Sequence, residues 1–224
     1  MRLLHVGWLL FHHEQAAILL YFLVMLPGVV LHEFSHLVVA AMLGVSAGGL
    51  TVWPKVHRQG LQLGSVQVAR TDILRESLIG LAPLIAGSLA ILSIAGLVFN
   101  VPLSAQGNII TWLDYVANHA DRLLTQDNAA IWLYLIFTVS NAMLPSPSDR
   151  QPWRDLVVFV GIIAGIALLM NGGIPQIPKD VITNLTRALD LLTISFAFTI
   201  IVDIIFIAGI FVVEQILIAF RGSW

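Results

Sequence analysis

Four stretches of the chain, about 16–45, 77–100, 153–171 and 192–220, are long and apolar enough to leave water. Each reaches the roughly 20 residues that carry a helix across a hydrocarbon core of about 30 Å. Inside such a core a backbone has to satisfy its own hydrogen bonds, which restricts spanning segments to helices or closed barrels. Continuous apolar runs of this length, without period-2 alternation, are helices. A fifth stretch, about 129–145, reads AAIWLYLIFTVSNAMLP without a charge, and counts as a span because it otherwise strands an apolar run in water. The expected fold is an all-α polytopic membrane protein with about five transmembrane helices. Composition agrees: 11% of residues are charged, against roughly 25% in soluble domains.

The shorter segments have their own character. LLHVGWLLF at 3–11 is too short to cross and has no small-residue cleavage site before His12-His13-Glu14, so it reads as an interfacial segment rather than a signal peptide. Residues 50–69 alternate apolar and polar around Gly60 and Gly64, the pattern of a small β-hairpin or sheet inserted after the first span. Residues 109–124 place apolar side chains at helical intervals around Asp114, Asp121 and Arg122, as an amphipathic interfacial helix does. Trp8, Trp112, Trp132 and Trp153 fall near span ends and read as interfacial anchors. Pro27-Gly28 reads as a kink accommodated by close packing, with a hinge as the alternative. Seven Lys/Arg (55, 58, 70, 75, 150, 154, 221) lie on one side of this topology and four (2, 122, 179, 187) on the other. That bias puts the 46–76 and 146–154 loops and the C-terminus in the cytoplasm and the N-terminus outside.

Whole chemistries are excluded. With no cysteine, there are no disulfides, thiolate zinc sites, iron–sulfur clusters or cysteine nucleophiles. A net charge of −2 lacks the basic excess that grips a phosphate backbone, which argues against nucleic-acid binding. A metal would have to sit on His, Asp or Glu.

Such a group is present. His32-Glu33-Phe34-Ser35-His36 is an H-E-x-x-H inside the first long span. Positions i and i+4 share a helix face, so the two imidazoles can converge on one ion while Glu33 lies close enough to act on water held there. Zinc hydrolysis requires that division of labour: nitrogen ligands, a third ligand, an open position and a base. The alternative is a histidine pair hydrogen-bonded to neighbouring helices beside a protonated Glu33, but ionisable groups inside a membrane helix are functional candidates by default.

Third-ligand candidates are few. Asp149 follows Pro145 and Pro147 at the end of the short span, where the chain cannot continue as a regular helix; by itself it also reads as a juxtamembrane acid paired with Arg150. Asp203 lies deep in the last span and Glu214 nearer its end, the latter suited to pairing with Arg221 or snorkelling. His12 and His13 precede the motif by about 20 residues, roughly 30 Å of helix, which places them on the far side. His57, on the hairpin, reads as a solvated loop histidine.

The sequence HEFSHLVVAAMLG, with Ala40 and Gly44 four and eight residues after His36, and the later N-x-x-x-P-x-P-x-D from Asn141 to Asp149, resembles the site-2 protease family of intramembrane zinc metalloproteases. The order of motif helix, sheet-like segment, second helix and aspartate-bearing helix is similar too. The resemblance covers a core ending at about residue 150, so that 1–150 is the expected metalloprotease core and 151–224 adds two transmembrane helices. It implies one Zn2+ per chain held by His32, His36 and Asp149, with Glu33 as general base. Asn141 is implied to contact substrate or the tetrahedral intermediate, as an amide donor near a developing oxyanion. Where the family usually has Leu-Asp-Gly, this chain has Ser148-Asp149-Arg150, and the lost glycine constrains the backbone beside the ligand.

The function expected is an endopeptidase that cleaves membrane-protein substrates in or near transmembrane segments. Its partners are then the lipid bilayer, the substrate and a possible regulatory membrane protein. The resemblance implies a prokaryotic inner membrane, and the loop bias turns the site toward the cytoplasm. Three rivals carry different signatures: a catalytically silent scaffold or chaperone of the same fold, which has no need of Glu33; a membrane metalloprotease of another lineage acting on aqueous substrates, with a glutamate as third ligand; and an ion or proton carrier using Asp203 and Glu214.

Overall fold

A two-residue turn, with His12 at φ 52°, folds helix α1 (Arg2–Phe11) back onto helix α2 (Glu14–Met42). The described residues of this computed structural model are 2–57, 60–104, 108–171 and 178–221. After α2 come strands β1 (Ala47–Thr51), β2 (Lys55–His57), β3 (Gly60–Gln62) and β4 (Ser65–Val68). They form two nested antiparallel pairs, β1 with β4 and β2 with β3, in the register Ala47↔Val68 and Val56↔Leu61. The outer pair is irregular between Gly48 and Thr51, where Gly49 takes φ 62°, a left-handed conformation that a Cβ disfavours. The expected hairpin is therefore present.

Helix α3 (Ile73–Ser93) runs on into a π-helical turn, Ile94–Val98. It is capped by Asp72, whose carboxylate accepts from the Arg75 amide at 3.1 Å, and that hydrogen bond holds the Asp72 carboxyl below its ordinary range. Helices α4 (Ile109–Asn118), α5 (Ala120–Thr125), α6 (Ala129–Met143), α7 (Gln151–Asn171) and α8 (Lys179–Arg221) complete the chain.

Four helices among the described residues are long and apolar enough to cross a membrane: Glu14–Met42, Ile73–Val98, Gln151–Met170 and Lys179–Phe220. They mark the chain as a helical membrane protein with a small β insertion. The expected fifth span differs. Helix α6 has only 15 residues, about 22 Å at 1.5 Å per residue, because Asn128 at φ 58° precedes it and Pro145 follows it. The short length is tolerated because α2, α3 and α8 sheathe it, and irregular backbone at membrane depth is permitted where protein covers it.

Two other expectations change. The 109–124 segment is two helices, broken at His119, whose Nδ1 takes the Tyr115 carbonyl at 2.8 Å while its ring stacks on Tyr115. Trp112 is not an interfacial anchor: it is 2% exposed, donates to the Pro102 carbonyl at 2.8 Å and packs edge-on against Phe198. The last helix also begins well before residue 192, since residues 179–221 contain no proline and one glycine, Gly209, to interrupt it.

The core lies where α2, α3, α6 and α8 meet, around Val29, Ile91, Ile136, Phe137 and Phe198. In lipid, apolar burial drives helix association weakly, and close approach at small residues does more. A Cβ on Gly28 would overlap the Thr138 carbonyl, and one on Gly87 the Met143 side chain. Pro27-Gly28 is thus a close-packing point within a continuous α2, and the two glycines seat the C-terminal half of α6 beside the H-E-x-x-H turn.

Candidate metal centre

His32 and His36 lie one turn apart on α2, with ring centroids 4.9 Å apart. Each ring is held from behind. His32 Nδ1 donates to the Ala142 carbonyl at 2.6 Å, and His36 Nδ1 to the Ile79 carbonyl at 2.9 Å. Both carbonyls are free for a reason written in the chain. Ala142 lies in the last turn of α6, whose carbonyls have no intrahelical partner. Ile79 precedes Pro83 by four residues within α3, and proline has no N–H to offer it.

A carbonyl only accepts, so each Nδ1 carries the hydrogen and each Nε2 presents a lone pair. The two Nε2 atoms face each other at 3.2 Å. Asp149 closes the group, with Oδ2 3.5 Å from His32 Nε2 and Oδ1 3.4 Å from His36 Nε2. Three acceptors pointed at one spot repel unless something positive lies between them. The edge of a tetrahedron around an ion with bonds of roughly 2.0–2.1 Å is about 3.4 Å, close to the 3.2 Å between the two Nε2 atoms, while Asp149 turns one oxygen toward each of them. His32, His36 and Asp149 form a group able to hold a metal ion.

Asp149 is placed by its own turn. The Ser146 amide donates to Oδ2 at 2.7 Å, and the Asp149 amide donates to Ser146 Oγ at 3.3 Å. The glycine that the resemblance leads one to expect at 150 is not required, since Arg150 is not among the positive-φ residues. Closeness to α3 is instead provided by Gly80, where a Cβ would overlap the Asp149 carbonyl oxygen.

The centre opens into a cavity of about 1140 Å³ between α2, α3, the α6–α7 turn and strands β3 and β4. Glu33 and Asn141 both line it. The Glu33 side chain, 8% exposed, lies under Gly64 of the hairpin, where a Cβ would sit 2.8 Å from its Oε1. All five residues singled out from the sequence, His32, Glu33, His36, Asn141 and Asp149, therefore border one space.

The competing acids do not join them. Asp203 hydrogen-bonds Ser140 and Asn141 on α6. Glu214 pairs with Arg2 and His5 of α1, each at 2.6 Å, because α1 folds back along α2 and meets α8; the Arg221 side chain, expected as its partner, lies outside the described part of the structure. His12 and His13 stay at the α1–α2 turn. His57 ends β2, and its side chain lies outside the described part of the structure.

Gly80, Pro83 and Ser146 support the centre without belonging to any ligand motif in the sequence. A proline four residues after an orphaned carbonyl is visible in a sequence, yet only a known neighbour gives that carbonyl a partner. Fold and site define a helical membrane protein with a His-His-Asp group able to hold a metal. Comparison of the chain with family models, curated proteins and solved structures returned no match.

Proposed function

We propose that the protein is an intramembrane zinc endopeptidase of the site-2 protease kind, cleaving membrane-protein substrates in or near their transmembrane segments. The observation that carries this reading is the convergence of two lone-pair Nε2 atoms and the Asp149 carboxylate at 3.2–3.5 Å, in a cavity shared with Glu33. Two imidazoles, one carboxylate and an open side make a catalytic rather than a structural zinc set. Zinc bound there supplies Lewis-acid chemistry, acidifying water and polarising a scissile carbonyl.

The residues of the chain do the rest. Glu33, adjacent to the His32 ligand, accepts a proton from the attacking water and passes it to the leaving amine. Ala142 and Ile79 hold the imidazoles in one tautomer through their carbonyls, which keeps the donor set fixed. A substrate helix hides its carbonyls in its own hydrogen bonds and must unwind to be cut. Strands β3 and β4 border the cavity and offer an unwound segment backbone hydrogen bonds by strand addition. A silent scaffold needs no acid beside the metal ligands, so Glu33 favours the enzyme over that rival.

The test is zinc per chain in detergent-purified protein, together with cleavage of a membrane-inserted peptide. Wild type and Glu33→Gln hold about one zinc, His36→Ala and Asp149→Ala lose it, and only wild type cleaves. A folded wild type without zinc overturns the reading, as does cleavage that survives Glu33→Gln.

A further inference from the structure

Asp203 is an acid within a membrane-spanning helix, and among the described residues no cation pairs with it. Such a group is costly to keep in a bilayer and marks function by default. Its partners are specific. Oδ1 accepts from Asn141 Nδ2 at 3.3 Å and lies 2.9 Å from Ser140 Oγ, whose single hydrogen it shares with the Phe137 carbonyl at 2.8 Å. Asn141 Nδ2 also donates to the Phe137 carbonyl at 2.8 Å.

These contacts set the polarity of the Asn141 amide. The Phe137 carbonyl can only accept, and so can an ionised Asp203 carboxylate. The nitrogen end of the amide therefore faces Asp203 of α8 together with Phe137 and Ser140 of its own helix, and these acceptors take both its hydrogens. What Asn141 has left is its carbonyl oxygen, and the residue is exposed where it lines the metal-centre cavity. An amide held this way has no hydrogen to spare for an oxyanion. It is built to accept.

We infer that Asp203 is a positioning residue: it locks Asn141 with its nitrogen toward α8, so that the Asn141 carbonyl oxygen accepts a backbone N–H of an extended substrate beside the metal centre. The inference rests on the protease reading and deepens it, because it makes α8, outside the motif-bearing core, a part of the substrate site. A substrate unwound for cleavage carries unpaired N–H groups, each costly to leave unmet in a low-dielectric site, and a fixed acceptor recovers one of them.

The experiment compares wild type, Glu33→Gln, Asp203→Leu, Asp203→Asn, Asn141→Ala and the Asn141→Ala/Asp203→Leu double variant, purified with zinc. Zinc content and kcat and KM for a membrane-inserted peptide are measured for each. Leucine matches aspartate in shape and suits a membrane helix; Asp203→Ala replaces it should zinc content fall. The expected result is wild-type zinc throughout. Asp203→Leu loses kcat/KM on the order of tenfold, chiefly through KM, the size of one hydrogen bond to substrate. Asp203→Asn, which keeps an accepting oxygen, stays within about threefold. The double variant is no worse than Asn141→Ala, the signature of two residues acting through one contact. Full activity in Asp203→Leu overturns the positioning role alone, as do losses that multiply in the double variant. Wild type that holds zinc but cleaves no faster than Glu33→Gln overturns the protease reading and the positioning role with it.

Discussion

The most direct perturbation of the metal centre leaves every ligand in place. Gly80→Ala puts a methyl group where the Asp149 carbonyl oxygen now lies. Restoring an ordinary contact of roughly 3.5 Å requires a relative shift on the order of 1 Å, and the obstacle is backbone on both sides rather than a flexible side-chain tip. The Asp149 carboxylate stands 3.4–3.5 Å from the two Nε2 atoms, with a different oxygen toward each, and metal–ligand distances hold to about 0.2 Å. A shift of that size takes the carboxylate out of range. The expected cost is about 10- to 100-fold in zinc affinity, the usual effect of disturbing the support behind a ligand. The assay is retention of zinc against a graded chelator series. Gly161→Ala on α7, with nothing within 4 Å of its position, is the matched control: both variants gain the same helix propensity, roughly 0.5–1 kcal/mol, and only one moves Asp149. Zinc held as tightly by Gly80→Ala as by Gly161→Ala would refute the argument that Gly80 seats the third ligand.

Three further outcomes are expected. Gly64→Ala crowds Glu33 from 2.8 Å and leaves the ligands alone, so zinc content stays at wild type while kcat falls up to about 100-fold from misplacement of the base; unchanged cleavage would remove Gly64 from the site. Gln67→Pro in β4, opposite Gly48, breaks the β1–β4 pairing, and should abolish peptide cleavage with zinc unchanged, a result that full cleavage would contradict. Asp72 caps α3 with a carboxyl held below its ordinary range, so its contribution to stability is present above the unfolded pKa and disappears as pH falls through the folded one. The Tm gap between wild type and Asp72→Ala should therefore be open at neutral pH and close on acidification, and a gap independent of pH would show that the charge is not what caps the helix.

Much of this arrangement is legible in the chain because it is local. Apolar runs of membrane length report their own helices, period-2 alternation reports the hairpin, and H-E-x-x-H places two imidazoles on one face without reference to the rest of the molecule. Asp149 is legible only through the resemblance carried by N-x-x-x-P-x-P-x-D, since a lone acid after two prolines is ambiguous by itself. Local signals misled where a neighbour decided. Trp112 looks interfacial until Phe198 covers it, and nothing near Glu214 in the sequence announces that α1 folds back to bring Arg2 and His5 to it. The 129–145 run is apolar enough for a span, but its helix stops at Met143.

A multi-helix membrane chain, a β insertion and a pair of histidines suited to one ion can all be read from the residues in order, because each follows from periodicity within a single segment. Tertiary structure alone decided which carbonyls fix the imidazole tautomers, that Gly80 brings Asp149 within 3.5 Å of them, and that Asp203 turns the Asn141 amide. Those contacts join residues 43 to 117 positions apart, and no local period encodes them. They come from packing, where a missing side chain or a missing N–H leaves room for a group from elsewhere in the chain.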